Sequence, residues 1–589
     1  MRRSIGMQRL LMALLAMSCA TRALAASHPA LEAQHGLVVS SQHYASEAGA
    51  RILEQGGNAI DAAVAVGCAL AVVNPCCGNI GGGGFMTIHL ADGRDTFINF
   101  REKAPAAASS KMYLDAQGNV VPEASLYGYL AAGVPGTVMG LDRALAEYGT
   151  MPRTKVMAPA IALAREGYVL TRGDTDVLAA GALRFAKDPV ASKIFLRPDG
   201  ASFEPGDRHV QKDLAATLEL IAEQGPDGFY KGKIPAAVEE ASRANGGILT
   251  AKDFADYTVT ETLPLTCSYR GYVLHTSPPP SSGGTTMCEI LNILEGYDLK
   301  PLGFHSAQSV HLMVEAMRHA YLDRNTYLGD PDFVKNPIDR LISKDYAAAI
   351  RAKIDAIRPT PSKELAPGVE PHEKTETTHY SVVDKDGNAV SVTYTINGLF
   401  GANVIAPGTG FFLNDEMDDF TSKPGVPNLY GLVQGAANAI APGKRPLSSM
   451  SPTLVTKDGK TFLVLGSPGG SRIITIVLET IMNVIDYGTE PQEAVNAPRI
   501  HHQWLPDEVF YEPYALSPDT LELLRQRGYT LTEQTPWGAA ELIETGSIAA
   551  AAKSAMSSGN DSARSGKVLP GFLYGANDDR RPAGAAAGY

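Results

Sequence analysis

The stretch Thr377–Gly398 constrains the local fold more tightly than any other part of the chain. Polar and apolar residues alternate on both sides of the loop sequence Asp-Lys-Asp-Gly-Asn, which ends at Asn388. This loop suits a three-residue turn in which Gly387 is left-handed, so that Asp384 pairs with Asn388 in a β-hairpin. A two-residue Asp-Gly turn would shift the register by one residue and move every later side chain to the other face.

The predicted register places Thr377 directly opposite Thr395, with Asn397 two residues further along on the same face. Opposed side chains in a hairpin lie about 4.5–5.5 Å apart at Cβ. A threonine hydroxyl is a weak nucleophile, but a free α-amine on the same residue has a pKa near 8 and can act as its base. Cleavage of the Glu376–Thr377 bond would create that amine. The alternative is that these threonines are ordinary strand residues with cross-strand hydroxyl contacts.

The segment that precedes the hairpin has a different composition. Pro359–Glu376 is rich in prolines and charges and has few large apolar residues. We predict an exposed linker here, and exposed linkers are common sites of chain cleavage.

Helical and strand patterns in both halves predict stacked antiparallel sheets covered by helices. Tyr44–Gln55 and Ile60–Val73 have helical patterns, and the second is apolar nearly all round, which predicts a buried helix. The run Gly81–Gly84 lacks a phosphate-binding pattern and therefore indicates close packing of the backbone. Met151–Ala356 is mostly helical in pattern. Of the 589 residues 44% are apolar, and a net charge of -12 argues against a nucleic-acid or anionic-membrane surface.

The N-terminus has the features of an export signal. Three arginines precede the apolar run Leu10–Met17, and an Ala-x-Ala cleavage site ends at Ala25. We expect residues 1–25 to be removed and the mature protein to be exported, either periplasmic or secreted. No later stretch has eighteen uninterrupted apolar residues, and no lipid anchor is predicted.

The cysteines do not form a disulfide scaffold. Beyond the signal they number five, so an exported chain keeps at least one free thiol unless two chains pair. Cys267 and Cys288 could form a disulfide or remain buried thiols. The other three are Cys68, Cys76 and Cys77.

Three later motifs provide the groups that an amidase needs in order to hold a zwitterion. NDEMDDF concentrates acidic residues without the spacing of a calcium loop. KRPLSSMSPT offers adjacent hydroxyls at Ser448 and Ser449, and LGSPGGSR offers consecutive amides at Gly469 and Gly470, which can face one oxyanion. Each motif alone also fits an acidic turn, a capping serine pair or a tight turn.

These motifs closely resemble those of the gamma-glutamyltransferases, or glutathione hydrolases, of the N-terminal-nucleophile hydrolase superfamily. They run in order from GGNAIDAAVAV and GGGGFM through GDPDF, TTHYSVVDKDGNAVSVTYTIN and MDDF to RPLSSMSPT and GSPGGSRIIT. The resemblance implies an α+β fold, a four-layer αββα sandwich. It also implies that the precursor cleaves itself before Thr377. The large subunit 26–376 and the small subunit 377–589 would then form a heterodimer.

The resemblance also implies the residues of the active site. The catalytic groups fall on Thr377 as nucleophile, Thr395 as its hydroxyl partner, and Gly469 and Gly470 as the oxyanion hole. The remaining residues are implied to bind substrate: Arg101, Ser448 and Ser449 the α-carboxylate, Asn397, Glu416 and Asp419 the α-ammonium, and Tyr430 as part of a flexible lid.

The implied reaction transfers the γ-glutamyl group of glutathione, or of a related compound, to Thr377 and then to water, an amino acid or a dipeptide. No metal or organic cofactor is expected. Asp415 stands where the family pattern has asparagine and is expected to perturb the ammonium pocket slightly. Gly398-Leu399 is a variable spot that could alter acceptor preference, and Ala549–Lys567 is an extra small polar insertion.

Two other functions remain open from the sequence. An acylase of the same family, acting on glutaryl-cephalosporins, would not need the acidic pair Glu416 and Asp419, because its substrate lacks the α-ammonium. An uncleaved periplasmic protein that binds amino acids or peptides would use the same contacts, but it would have no use for the Thr377–Thr395 pair.

Overall fold

The computed structural model describes residues 27–365, 377–426, 428, 432–546, 569 and 571–589. Two antiparallel sheets of seven strands form its centre. The hairpin sheet contains, in spatial order, Ala585–Gly588, Gly36–Ser40, Thr378–Asp384, Ala389–Thr395, Gly83–His89, Asp95–Asn99 and Thr260–Thr262. The second sheet contains Leu31–Ala33, Leu573–Asn577, Glu541–Thr545, Lys460–Gly466, Thr453–Lys457, Tyr272–Thr276 and Leu265–Tyr269.

Helices cover the outer face of each sheet. The helices that precede the strand Leu265–Tyr269 in the chain are His43–Glu54, Ala59–Val73, Thr137–Tyr148, Arg153–Glu166, Arg172–Phe185, Ala191–Phe195, Lys212–Gln224, Asp227–Tyr230, Lys233–Ala244 and Ala251–Ala255. Those after it are Gly283–Leu294, Ala307–Tyr327, Ile338–Leu341, Lys344–Arg351, Ser362–Leu365, Ile473–Met482, Pro491–Asn496 and Pro518–Arg527. Short strands complete the fold at Tyr168–Val169, Arg208–His209, Ile500–His501, Val509–Tyr511 and Leu531–Glu533.

The core confirms the predicted four layers. Leu37 and Val383 of the hairpin sheet pack with Leu454 and Ile543 of the second sheet in one buried cluster between the sheets. The opposite face of the hairpin sheet joins the core of the fully buried helix Ala59–Val73. The opposite face of the second sheet joins the helices on the other side. The order is therefore helices, sheet, sheet, helices, as in an αββα sandwich.

The hairpin register is the predicted one. Thr378 lies opposite Tyr394, and Val383 lies opposite Ala389. The Asp384 amide donates to the Asn388 carbonyl at 3.1 Å, and Gly387 has a φ of 93°. The three-residue loop therefore brings Thr377 to the end of one central strand, across from the end of its neighbour.

The glycine run lets strand ends approach closely beside this point. A Cβ on Gly82 would lie 1.8 Å from the carbonyl oxygen of Thr395, and one on Gly81 would lie 2.1 Å from that of Phe412. These distances exclude any side chain. The prediction of close backbone packing is confirmed.

The prediction of a mostly helical middle missed three strands within Thr260–Thr276. Leu265–Tyr269 and Tyr272–Thr276 are joined by a tight turn in which Arg270 and Gly271 both have positive φ, at 52° and 79°. A two-residue turn with positive φ at both positions matches the twist of a β-hairpin. The segment around this turn therefore folds as two strands, although helices precede and follow it.

Disulfides form at two places. Cys267 and Cys288 join a strand of the second sheet to the helix Gly283–Leu294, which settles the pairing that the sequence left open. The adjacent residues Cys76 and Cys77 are also bonded, and Cys68 is a buried free thiol. In the described residues no helix has both the length and the apolar character required to cross a membrane.

Candidate active site

A small pocket at the ends of the central strands gathers most of the predicted residues. Arg101 follows the strand Asp95–Asn99, and Thr377 and Thr395 belong to the hairpin strands or adjoin them. The predicted residues in the lining are Arg101, Thr377, Thr395, Asn397, Glu416, Asp419, Ser448, Ser449 and Gly470. Gly469 lines a larger cavity next to this pocket. Tyr430 lies outside the described residues.

The two threonine hydroxyls face each other inside the pocket. Thr377 Oγ1 lies 3.4 Å from Thr395 Oγ1, and the two residues are 4% and 3% exposed. Thr395 Oγ1 also accepts a hydrogen bond from the Asn397 amide at 2.8 Å. Asn397 has a φ of 72°, an uncommon conformation for a residue with a side chain. The Thr395 hydroxyl therefore links the Thr377 side chain to a strained backbone.

No histidine lines this pocket among the described residues. His379, two residues from Thr377, directs its ring to Thr393 and Ser381 instead, at 2.8 and 3.1 Å. Burial lowers the pKa of His379 to about 3, so its ring is neutral near pH 7. A base for Thr377 must therefore come from another group.

Gly469 and Gly470 connect the second sheet to the helix Ile473–Met482. Their φ values are 140° and 55°, both in the range that favours glycine. The Arg472 amide donates to the Gly469 carbonyl at 3.0 Å and so fixes the turn. The two glycines lie where the two spaces adjoin, because Gly470 lines the small pocket and Gly469 lines the larger cavity.

A buried charge cluster forms one wall. Arg101, with no exposed surface, pairs with Glu416 and Asp419 and lies 3.4 Å from Glu102. Burial opposes the charge of Arg101, but Glu416 and Asp419 outweigh it and raise the arginine pKa. Burial also raises the pKa of Glu102 to about 7.

This cluster has spare acceptor capacity. Among the described residues no N–H or O–H donor reaches the buried oxygens Glu416 Oε2 and Glu102 Oε1, although the two carboxyl groups interact with each other, and burial raises the pKa of Glu416 well above its ordinary value. A buried carboxylate oxygen without a donor is costly, and a cationic N–H donor would relieve that cost. The arrangement can therefore accept an ammonium group.

A second cation was missed by the sequence interpretation. Arg324 lines the pocket and is 1% exposed. Its guanidinium donates to Ser282, Asn325 and Ser449, at 2.9, 2.8 and 3.0 Å, all of them neutral groups. Burial lowers the pKa of Arg324 to about 10. A buried cation with neutral partners is suited to bind an anion beside Ser449.

Asp415 lies outside this pocket. Its carboxylate accepts a hydrogen bond from the Gly398 amide at 2.7 Å, and its backbone pairs with Ile396 and Asn397. Burial raises its pKa well above the ordinary value. In this position the side chain braces the Gly398 turn and lines the larger cavity.

Several predicted features fall wholly or partly outside the described residues. These are the signal at 1–25, the scissile Glu376 and the insertion Ala549–Lys567. The predicted linker Pro359–Glu376 is described only as far as residue 365. There Ser362 is fully buried, and its amide donates to Asp507 at 2.7 Å. Pro361, Lys363 and Glu364 around it are exposed, so this part of the linker agrees with the prediction of exposure except at Ser362.

Comparisons with known proteins show relatives over nearly the whole chain. Residues 45–571 match the gamma-glutamyltranspeptidase family. The chain is 56% identical to a glutathione hydrolase proenzyme of Pseudomonas sp. (strain A14), covering 98% of each chain. It is 49% identical to the glutathione hydrolase proenzyme of Escherichia coli (strain K12), covering 95% of this chain and 93% of the other. Its fold is similar to a cephalosporin acylase from Bacillus halodurans, with a TM-score of 0.81, 27% identity, and coverage of 97% and 98%.

Proposed function

Since the chain belongs to the gamma-glutamyltranspeptidase family, we propose that it is a gamma-glutamyltransferase and glutathione hydrolase whose nucleophile is an N-terminal Thr377. One observation carries the assignment of the site. The Thr377–Thr395 hydroxyl pair shares a pocket with a carboxylate cluster and with a buried arginine that has neutral partners. Such a pocket suits an amide substrate that carries both an ammonium and a carboxylate.

The nucleophile is created by cleavage of Glu376–Thr377. This step divides the protein into a large subunit, 26–376, and a small subunit, 377–589, which stay together as a heterodimer. The two subunits share the hairpin sheet, because Gly83–His89 pairs with Ala389–Thr395 and Gly36–Ser40 pairs with Thr378–Asp384. The new α-amine lies on the attacking residue itself, which supplies the base that no pocket histidine provides.

The γ-glutamyl group is held by its two α-substituents. The ammonium donates to Glu416, whose Oε2 receives no N–H or O–H donor from the described residues, and to Asp419 and the Asn397 side chain. The carboxylate is bound by Arg101, Ser448 and Ser449. Arg324 adds a second positive charge through its contact with Ser449. Binding of both α-substituents fixes the orientation of the amide carbon toward Thr377.

Catalysis proceeds in two balanced steps. Thr377 Oγ1 attacks the γ-amide carbon, the hydroxyl proton passes to the α-amine, and the Gly469 and Gly470 amides stabilise the oxyanion. The C–N bond then breaks and the amine leaves with that proton. In the second step water, or the amine of an acceptor, attacks the ester carbon. The C–Oγ1 bond breaks, and one proton of the attacking water or amine passes to Thr377 Oγ1.

An acylase acting on glutaryl compounds is the closest alternative. Its substrate would leave the Glu416–Asp419 wall without a cation. The ratio of kcat/KM for γ-glutamyl-p-nitroanilide to that for glutaryl-p-nitroanilide separates the two. We expect a ratio well above 100, because one buried ammonium–carboxylate contact contributes about 3 kcal/mol or more. A ratio near or below one favours the acylase.

Export to the periplasm or the medium is part of this proposal. It is supported by the basic and apolar pattern of residues 1–25. The N-terminus of the large subunit in the purified protein tests it, and a start near Ala26 is expected.

The direct test of the nucleophile is Thr377→Ala. We expect the variant to stay as a single chain and to lose hydrolysis of γ-glutamyl-p-nitroanilide. Thr378→Val is the matched control, since Thr378 is equally buried but bonds Ser41 and Asn74 outside the pocket, both at 3.2 Å. A Thr377→Ala protein that is cleaved normally would overturn the assignment.

A further inference from the structure

We propose that Tyr321 is a positioning residue for the oxyanion hole, and that its hydroxyl holds the turn of Gly469 and Gly470 in place from the other subunit. This inference rests on the proposed function, because it concerns how the oxyanion amides of that reaction are fixed. Tyr321 lies in the helix Ala307–Tyr327 and has no exposed surface. Its hydroxyl donates a hydrogen bond to the Ser471 carbonyl at 2.6 Å.

The glycine turn cannot fix its own position by side-chain packing. Gly469 and Gly470 have φ values of 140° and 55°, and glycine has access to many backbone conformations. Oxyanion stabilisation depends on placement, because the donors must lie about 2.7–3.1 Å from the position of the charged oxygen. The residues that follow the two glycines must therefore supply the constraint.

Ser471, the residue after Gly470, is fully buried and held on two sides. Its carbonyl accepts the hydrogen bond of Tyr321, and its hydroxyl donates to the Gln503 side chain at 2.7 Å. The Arg472 amide belongs to the same peptide group as the Ser471 carbonyl, and it donates to the Gly469 carbonyl at 3.0 Å. This peptide group is therefore fixed at its oxygen and at its nitrogen, and it closes the turn that contains both glycine amides.

The hydrogen bond of Tyr321 crosses the boundary between the proposed subunits. After cleavage before Thr377, Tyr321 belongs to the large subunit and Ser471 to the small subunit. Arg101 and Arg324 of the large subunit line the pocket that receives the glutamyl group. The bond therefore aligns the oxyanion amides of one subunit with the substrate-binding arginines of the other.

Tyr321 and Arg324 lie on one face of the same helix. They are three residues apart in Ala307–Tyr327, and residues at this spacing are neighbours on a helix surface. Arg324 donates to Ser449 at 3.0 Å in the pocket. One helix thus carries both a cation of the pocket and the donor that holds the oxyanion turn. Both ends of the reacting group are then placed relative to one rigid element.

The test compares a ligand that occupies the oxyanion hole with one that does not. The first is the boronic acid analogue of L-glutamate, in which boron replaces the side-chain carboxyl carbon. A B–O bond forms with Thr377 Oγ1, the hydroxyl proton passes to the α-amine, and boron becomes tetrahedral and negatively charged. The second ligand is L-glutamate, which uses the same α-substituents without forming this adduct.

Tyr321→Phe removes the hydroxyl and keeps the ring. Tyr230→Phe is the matched control, because Tyr230 is 2% exposed, donates to the Pro135 carbonyl at 3.0 Å and lines neither the small pocket nor the larger cavity. Both variants lose one buried hydroxyl that donates to a backbone carbonyl. The melting temperature of each variant is measured, and rates are expressed per cleaved molecule.

We expect Tyr321→Phe to lower kcat for γ-glutamyl-p-nitroanilide by about 10- to 100-fold, because displaced oxyanion donors act on the transition state. The boronic acid should bind more weakly by a similar factor. KM and inhibition by L-glutamate should stay within about twofold, and Tyr230→Phe should keep all four quantities. Equal weakening of both inhibitors, or an unchanged kcat, would overturn the proposal.

Ser471→Ala tests the same brace if Tyr321→Phe does not mature. It removes the contact with Gln503 and keeps the carbonyl that Tyr321 binds. The expected result is a smaller loss in the same pattern, with kcat and boronic acid affinity falling together while inhibition by L-glutamate is kept. A Ser471→Ala enzyme with unchanged kcat would show that this residue does not fix the turn, and the inference would be wrong. If the wild type does not turn over the anilide at all, the proposed function itself fails, so the two failures are distinguishable.

Discussion

Replacement of Thr395 by valine removes one hydroxyl from the centre of the proposed catalytic site. Valine has the shape of threonine, and the position is 3% exposed, so neither a cavity nor a bound water replaces the oxygen. Two contacts are lost. One is the 3.4 Å contact with Thr377 Oγ1, and the other is the 2.8 Å bond from the Asn397 amide.

The magnitude follows from these two contacts. The first is long and contributes little until the Thr377 hydroxyl attacks the substrate. The second is the hydrogen bond of the buried Asn397 amide. Its loss costs about 1–3 kcal/mol, and Asn397 is already in a strained conformation with a φ of 72°. If about 1.5–3 kcal/mol of this appears in the barrier, kcat falls roughly 10- to 150-fold. KM changes less, because the charged groups that bind the substrate remain.

The assay must separate chemistry from maturation. Intact mass gives the fraction of Thr395→Val protein that is cleaved, and kcat for γ-glutamyl-p-nitroanilide is then expressed per cleaved molecule. Thr393→Val is the control, since it removes a buried hydroxyl from the same strand, bonded to His379 at 2.8 Å, outside the pocket. If cleaved Thr395→Val keeps kcat within twofold, or if Thr393→Val loses as much, the argument for Thr395 is refuted.

Three further predictions concern the surrounding groups. Arg324→Gln should raise KM for γ-glutamyl-p-nitroanilide about 10- to 100-fold by removing a buried cation. It should also weaken inhibition by L-glutamate more than inhibition by 4-aminobutyrate, which lacks the α-carboxylate; equal weakening would indicate a structural role. Gly469→Ala should lower kcat about 100- to 1000-fold with little change in KM, because φ of 140° strains any side chain at the oxyanion turn. Gly459→Ala, at φ of 74° in a remote turn, is the control and should retain kcat. Burial raises the pKa of Glu102 from 4.5 to about 7, so the stability that this group contributes is complete below pH 4.5 and is lost as the pH rises through 7. Glu102→Gln should therefore gain in melting temperature relative to the wild type between pH 4.5 and 8, by a few degrees at most; a difference that does not vary with pH would contradict this.

Local turn chemistry made the hairpin predictable from the sequence. Gly387 decides the loop length, the loop length decides the register, and the register brings Thr377 opposite Thr395. Each step depends on residues close in sequence. The consecutive glycines of LGSPGGSR are likewise visible in the sequence, but this motif alone also fits a tight turn.

Contacts distant in sequence were not predictable in this way. Arg324 lies in the helix Ala307–Tyr327, far along the chain from its partner Ser449. The sequence shows only that this helix carries several charged residues; the structure shows that Glu315, Arg318 and Asp323 are buried there together with Arg324, which is unusual for charged residues. The ion pairs of Arg101 with Glu416 and Asp419 likewise depend on tertiary packing. The motifs suggested which residues bind the zwitterion. They did not show that Arg101 and the two acidic residues also form ion pairs with one another.

Intact mass together with N-terminal sequencing of the purified protein tests the central claim most directly. The account predicts two chains, the smaller of which begins Thr-Thr-His-Tyr-Ser, so that the α-amine of Thr377 exists. A catalytically active protein that remains one uncleaved chain would contradict it, because no free amine would then be present at Thr377.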